Sequence, residues 1–169
     1  HVAANQLQHL LHLLARQCAA GGYDLIIHGR RREALEEVRT AILRTADVNV
    51  AICVADLATP DGLAQVEDAV RTTPTLTILV NNAGFSSVKV FADEPIDGQE
   101  AIIRVHVLAA VRLTHAALQV MRRRGEGGII NVSSVLGVAP QPFMAIYVAS
   151  KHALEGYSES LDHEVREYG

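Results

Sequence analysis

The stretch from Ser134 to Lys151, SVLGVAPQPFMAIYVASK, decides how this 169-residue chain is read. From Ala145 it opens a helical pattern that runs to about Tyr168, with Ala149, Ala153, Leu154, Tyr157, Leu161 and Val165 as its apolar or small-residue stripe. Tyr147 and Lys151 stand four residues apart at the start of that helix, so both side chains leave one face, one turn apart. A phenol ionises near pH ~10 and is a poor acid or base at neutrality, but a cation within a few Å favours the phenolate. A Tyr so placed can move protons near pH 7. Ser134 lies thirteen residues before Tyr147, just past an apolar strand-like run, where its hydroxyl could share a substrate oxygen with the phenol. The plain alternative is a chance pair on a solvated face. Composition argues against it, because the chain has two Lys (Lys89 and Lys151) against thirteen Arg, and a generic surface cation would have been Arg.

Upstream, strand and helix patterns alternate. Apolar positions 7, 10, 11, 14, 15 and 18 predict a helix over 5–20 that stops at Gly21-Gly22. Asp24 to His28 reads as a strand, 33–44 as a helix, 48–54 as a strand and 61–71 as a helix, with Thr59 as N-cap and Pro60 as first helical residue. Thr75 to Val80 is a buried-strand run ending in Asn81-Asn82-Ala83-Gly84. Asp97 with Glu100 predicts a capping box opening a long helix to about Arg124, and Gly127-Gly128 turns into a strand over Ile129 to Ser133. Repeated βα order predicts a parallel sheet.

Asn-Val-Ser-Ser at 131–134, Tyr-Val-Ala-Ser-Lys at 147–151 and Asn81-Asn82-Ala83-Gly84 stand in the order and spacing of one family. From about Gly21 to its end the chain resembles the classical short-chain dehydrogenase/reductases. The resemblance implies an α/β fold, a three-layer Rossmann-type doubly wound parallel sheet, here incomplete, in a single NAD(P)-binding domain over 1–169. It also implies hydride transfer between a nicotinamide cofactor and an alcohol or carbonyl substrate. Tyr147 would be the acid/base, Ser134 would hydrogen-bond the substrate oxygen, and Lys151 would favour the Tyr phenolate and grip the nicotinamide ribose.

Further sites follow from the same resemblance. Asn82, Ala83 and Gly84 would let the cofactor pass close to the backbone, and Asp56-Leu57 would hold the adenine ring. Arg30, at a strand end where doubly wound sheets bind ligands, suits the 2′-phosphate of NADP(H), whereas an acidic residue there would suit NAD(H). The alternative for Arg30 is surface charge at a helix entry. His106 stands where the family usually has an Asn that holds a relay water. A neutral His has one donor and one acceptor and could hold a water; a core His without a catalytic part is the equal alternative. The family's glycine-rich phosphate turn is expected near Ala4 to Leu11, where Ala-Asn-Gln-Leu-Gln-His-Leu-Leu stands instead. A degenerate glycine motif, and a chain that is a fragment lacking a C-terminal part, are therefore expected. The last two long helices imply a homodimer or homotetramer. The rival reading is a non-catalytic Rossmann-like binding or scaffold protein, or an inactive fragment.

Composition bounds the rest. A net charge of −4 and separated Arg triplets at 30–32 and 122–124 leave no basic footprint for nucleic acid. Cys18 and Cys53 lie in apolar surroundings that suit reduced thiols, so a cytoplasmic setting is expected. No apolar run reads as a membrane span of ~20 residues. His9 and His12 share a helical face without a third ligand, so no metal is expected.

Overall fold

The computed structural model describes the backbone of residues 2–168 and the side chains from residue 10 onward, so the expectation resting on the His9 side chain lies outside the described residues. The chain has an α/β fold of Rossmann type in which the strand pairings among the described residues are parallel. It divides into two compact units, one up to Val66 and one from Glu67.

The first unit opens with α1 (Val2–Ala20), followed by β1 (Leu25–Gly29), α2 (Arg32–Leu43), β2 (Val50–Val54) and the start of α3 (Pro60–Arg71). No Gly or Pro occurs between Val2 and Ala20, so nothing interrupts the helix. The helix predicted over 5–20 therefore forms, and the family's phosphate turn is missing from Ala4 to Leu11. Those residues form continuous helix, whose interior amides are engaged along its own backbone and are not turned toward a ligand. The helix ends where the glycines predict. Gly22 adopts φ +82°, its amide bonds to Ala19 O, and the Tyr23 amide reaches back to Cys18 O, both at about 3 Å. Ala15 and Ala19 of α1 pack with Ile27, Leu35, Val38, Ile42 and Val50 to form the core of this unit. Burial of each large aliphatic side chain there contributes ~1.5–3 kcal/mol. The strands run in register from Leu25 opposite Val50 to Gly29 opposite Val54. Thr59 caps α3 as expected, its Oγ1 accepting the Gly62 amide at 3.1 Å.

The second unit holds β3 (Ile78–Asn81), α4 (Ile96–Ile103), α5 (Ala109–Arg124), β4 (Gly128–Asn131) and α6 (Ala145–Val165). β3 and β4 pair from Ile78 opposite Gly128 to Asn81 opposite Asn131. Ala109, Ala110, Leu113, Ala116, Ala117, Val120 and Met121 bury one face of α5.

Two details differ from the sequence expectation. The capping box at Asp97 and Glu100 does not form: Pro95 is the N-cap residue, with no side-chain cap, and Asp97 lies inside the first turn. The long helix is also not uniform, because Arg104–Leu108 forms a π-helical turn between α4 and α5. The run Ile96–Arg124 is the one described helix long and apolar enough to cross a membrane by length and composition, which the residue pattern did not suggest. Half of its most apolar window is buried inside the chain, as in the core helix of a globular unit.

Candidate active site

The strand ends of the second unit carry a polar lattice. Asn81, the last residue of β3, donates through Nδ2 to Asn131 Oδ1 at 2.8 Å and to Thr114 Oγ1 at 3.1 Å. Asn131 passes the link on to Ser158 Oγ on α6 at 2.9 Å. The ends of the two strands and the middles of α5 and α6 are thereby held in a fixed relation, from which the next residues project. Just past the paired ends, Asn82 Oδ1 and Ser133 Oγ are buried without a hydrogen-bond partner among the described residues.

Ser134 follows at once. Its extended backbone turns into a short 3-10 segment, and its Oγ accepts the Leu136 amide at 3.2 Å, which leaves the hydroxyl proton free to donate. Tyr147 and Lys151 occupy the first turns of α6, and the Lys151 ammonium lies 5.7 Å from the centroid of the Tyr147 ring. Lys151 is 3 % exposed and donates to Val132 O, at the end of β4, at 2.8 Å. Burial pushes its pKa down from the usual lysine value, and the nearby Glu155 carboxylate opposes that shift. Tyr147 forms one wall of a small, open cleft whose other walls include Phe91, Ile102, Phe143 and Met144 together with the polar Ser87, Lys89 and Gln99.

His106 lies in the π turn and is 1 % exposed. Its Nε2 accepts the Phe85 amide at 2.9 Å, and its Nδ1 lies 2.9 Å from Ser150 Oγ. Its ring meets Tyr147 edge-on, with centroids 5.4 Å apart. Burial, with the Lys151 charge adding to it, lowers the His106 pKa to about 4. Gly84 packs directly against the imidazole: a Cβ there would lie 2.9 Å from Nε2. Tyr147, Lys151, His106 and Gly84 thus form one cluster, while Ala83 is exposed.

The remaining expected site residues belong to the first unit. Arg30 follows the end of β1, and its guanidinium lies 3.9 Å from the Asp56 carboxylate, with both side chains well exposed. The other Asp56 oxygen accepts the Ala58 amide at 2.9 Å, fixing the turn after β2. Leu57 is buried, at 5 % exposure. His28, which sequence reasoning passed over, bonds Ala55 O through Nε2 at 3.1 Å, and burial lowers its pKa.

The residues missed in the sequence are supporting ones: Thr114, Asn131 and Ser150. Asn131 and Ser150 lie inside the quoted motifs, and their polarity in otherwise apolar runs was the available signal. Thr114, in the middle of a helix, gave none.

Comparison with known proteins bears on the same residues. The family model described as short chain dehydrogenase matches residues 12–169. An uncharacterized oxidoreductase of Bacillus subtilis, YusZ, is 32% identical over 158 residues, covering 93% of this chain and 56% of its own. Among solved structures, a short-chain dehydrogenase from Sphingobium yanoikuyae in complex with NADPH superposes with a TM-score of 0.88 at 32% identity, covering 92% of this chain and 61% of that one. The L-sorbose reductase of Gluconobacter frateurii, complexed with NADPH and L-sorbose, gives 0.85 at 32% identity, covering 94% and 60%. The expectation of a fragment is corrected to a family match over residues 12–169, with these proteins aligning to nine-tenths or more of the chain. The chain spans about half to three-fifths of the length of the curated relatives it matches.

Proposed function

We propose that this chain, which belongs to the short chain dehydrogenase family, is an oxidoreductase that moves hydride between NADP(H) and an alcohol or carbonyl compound. The observation that carries the reading is the Tyr147–Lys151 pair. A buried ammonium lies 5.7 Å from the ring of a half-buried Tyr, and that Tyr faces an open cleft.

The residues fit the nicotinamide-ribose part of the cofactor. Of the three N–H donors of Lys151, Val132 O takes one, which leaves two for ribose hydroxyls. Asn82 Oδ1 and Ser133 Oγ are buried polar atoms that a hydrogen-bonding ligand would satisfy. When bound, the nicotinamide supplies or accepts the hydride. In the reducing direction Tyr147 gives its phenolic proton to the substrate oxygen as the carbonyl carbon gains the hydride; oxidation reverses both transfers. Ser134, with its hydroxyl proton free, holds that oxygen in place. The cleft walls, apolar at Phe91, Ile102, Phe143 and Met144 and polar at Ser87, Lys89 and Gln99, favour a substrate that carries both an apolar and a polar part beside the reacting carbon.

NADP(H) over NAD(H) is supported by Arg30 at the β1 end and by the NADPH held in two similar solved structures. In that role Asp56 and Leu57 line the adenine side, and Ala83 and Gly84 lie along the cofactor path. A homodimer or homotetramer is supported by Ile103, Leu108 and Val111, which leave apolar surface exposed along the long helical run. Free thiols at Cys18 and Cys53 suit the cytoplasm.

The test is NADPH consumption by the purified chain against a panel of aldehydes, ketones and the matching alcohols. Tyr147→Phe should lower turnover by ~10²-fold or more while leaving NADPH binding nearly unchanged. A parent chain inert toward the whole panel would overturn the reading, and a variant within a few-fold of the parent would remove Tyr147 from the chemistry.

A further inference from the structure

His106 is enclosed on every side, and each of its polar atoms is committed. The Phe85 N–H donates to Nε2, so that nitrogen carries no proton. Ser150 Oγ donates its own proton to Tyr147 O at 2.7 Å, so toward the ring it can only accept, and the proton of the neutral imidazole belongs on Nδ1. The result is a directed chain of three bonds: Phe85 N–H to Nε2, Nδ1–H to Ser150 Oγ, Ser150 O–H to the Tyr147 carbonyl. Phe85 and Tyr147 meet the ring edge-on, with centroids 5.9 and 5.4 Å away. On a further side, Gly84 leaves no room for a Cβ.

Holding a water or passing a proton requires a ring nitrogen with a free lone pair or a free N–H. Neither exists here. Protonating Nε2 would expel the Phe85 amide and leave it part-buried without its acceptor, which is costly. What the imidazole does instead is join the segment after β3 to the first turn of α6, the turn that carries Tyr147. We propose that His106 is a positioning residue. As the Nδ1–H tautomer it clamps the Phe85 backbone to the Tyr147 turn through Ser150, and no proton passes through its ring. The clamp stands on geometry alone; only its effect on turnover rests on the oxidoreductase reading above.

The experiment has two arms. In the intact chain, ¹⁵N-histidine NMR at neutral pH should report the Nδ1–H tautomer for His106, and the Phe85 amide should exchange slowly with solvent. His106→Asn, whose shorter side chain cannot span both partners, should speed Phe85 exchange tenfold or more, the loss of about one hydrogen bond. In steady-state assays with NADPH and a ketone, His106→Asn and Ser150→Ala should both lower kcat, with the pH profile and solvent isotope effect unchanged. An Nε2–H tautomer, or rapid Phe85 exchange in the parent, overturns the clamp. So does a His106→Asn profile that has lost an ionisation, which would place the ring in the proton path. If the parent reduces no carbonyl, the functional reading falls, while the tautomer and the exchange rate still decide the clamp.

Discussion

Gly84→Ala would put the packing around His106 under a defined load. Gly84 does not lie at positive φ, so the backbone accepts Ala and the cost is steric. The new methyl would lie 2.9 Å from His106 Nε2 and 3.4 Å from Cδ2 and Cε1. Comfortable carbon contacts begin near ~3.5 Å, so the ring or the loop must give by about half an ångström. The ring has little freedom to do so, being 1 % exposed and bonded at both nitrogens. Overpacking of this kind costs ~1–3 kcal/mol, and loss of the Phe85 bond adds ~1 kcal/mol. A destabilisation of about 2–4 kcal/mol is therefore expected in urea unfolding monitored by circular dichroism. In a His106→Ala background the obstacle is gone, and the same substitution should cost under about 1 kcal/mol, which makes a double-mutant cycle the decisive form of the assay. A Gly84→Ala cost below about 0.5 kcal/mol in the parent, or an equal cost in both backgrounds, would refute the reasoning.

Three further outcomes are expected. The His106 pKa of about 4 in the folded chain lies below the ordinary ~6.5 of the unfolded one, so the unfolded chain takes the proton first as pH falls. Stability should be intact above pH ~6.5, fall by ~3 kcal/mol as pH drops toward 4, and level off below; urea midpoints over that range should show the slope, and His106→Asn should flatten it, leaving the smaller same-signed contribution of His28. Gly62→Ala places a Cβ 2.2 Å from the Asp56 carbonyl oxygen, a clash with backbone and not with a movable side chain, so the chain should lose ~3 kcal/mol or more or fail to accumulate folded; a change in Tm of under a degree would count against the packing described. Arg30→Asp sets a second carboxylate beside Asp56 and should lower the ratio of kcat/KM for NADPH over NADH by roughly 10- to 100-fold, whereas an unchanged ratio would make Arg30 surface charge alone.

Most of the fold could be read from local pattern, because strands and helices here are set by apolar periodicity and by turn residues at their ends. Gly21-Gly22, Thr59-Pro60 and Gly125 each stop or start a helix as their chemistry requires. The spacing of Leu7, Leu10, Leu11 and Leu14 predicted the helix that forms there, and the lack of glycine from Ala4 to Leu11 already spoke against a phosphate turn in that stretch. The cluster of Tyr147 and Lys151 was legible because four residues along a helix fix two side chains on one face. The setting of His106 was not, since its partners, Phe85 and Ser150, lie 21 and 44 residues away in sequence and meet only after folding. The missing cap at Asp97 has a similar cause: Pro95, with its fixed φ, takes the N-cap position two residues earlier than the side-chain pattern suggested.

The π turn at Arg104–Leu108 also sets how the chain responds to a change of length at that point. A π turn holds roughly one residue more per rung than an α-helical one, so it takes up a single extra residue without breaking the helix. Removing one residue from that turn would therefore let the backbone relax into an ordinary helix with its two flanks still in phase. The damage would be local, because His106 would shift away from the Phe85 amide and Ser150. The same deletion inside α5 has no π turn to absorb it: it would rotate everything on one side by about 100° and swing Ala117 and Val120 toward solvent. A single-residue deletion between Arg104 and Leu108 should therefore spare the fold more than one within α5, while disturbing the site around Tyr147.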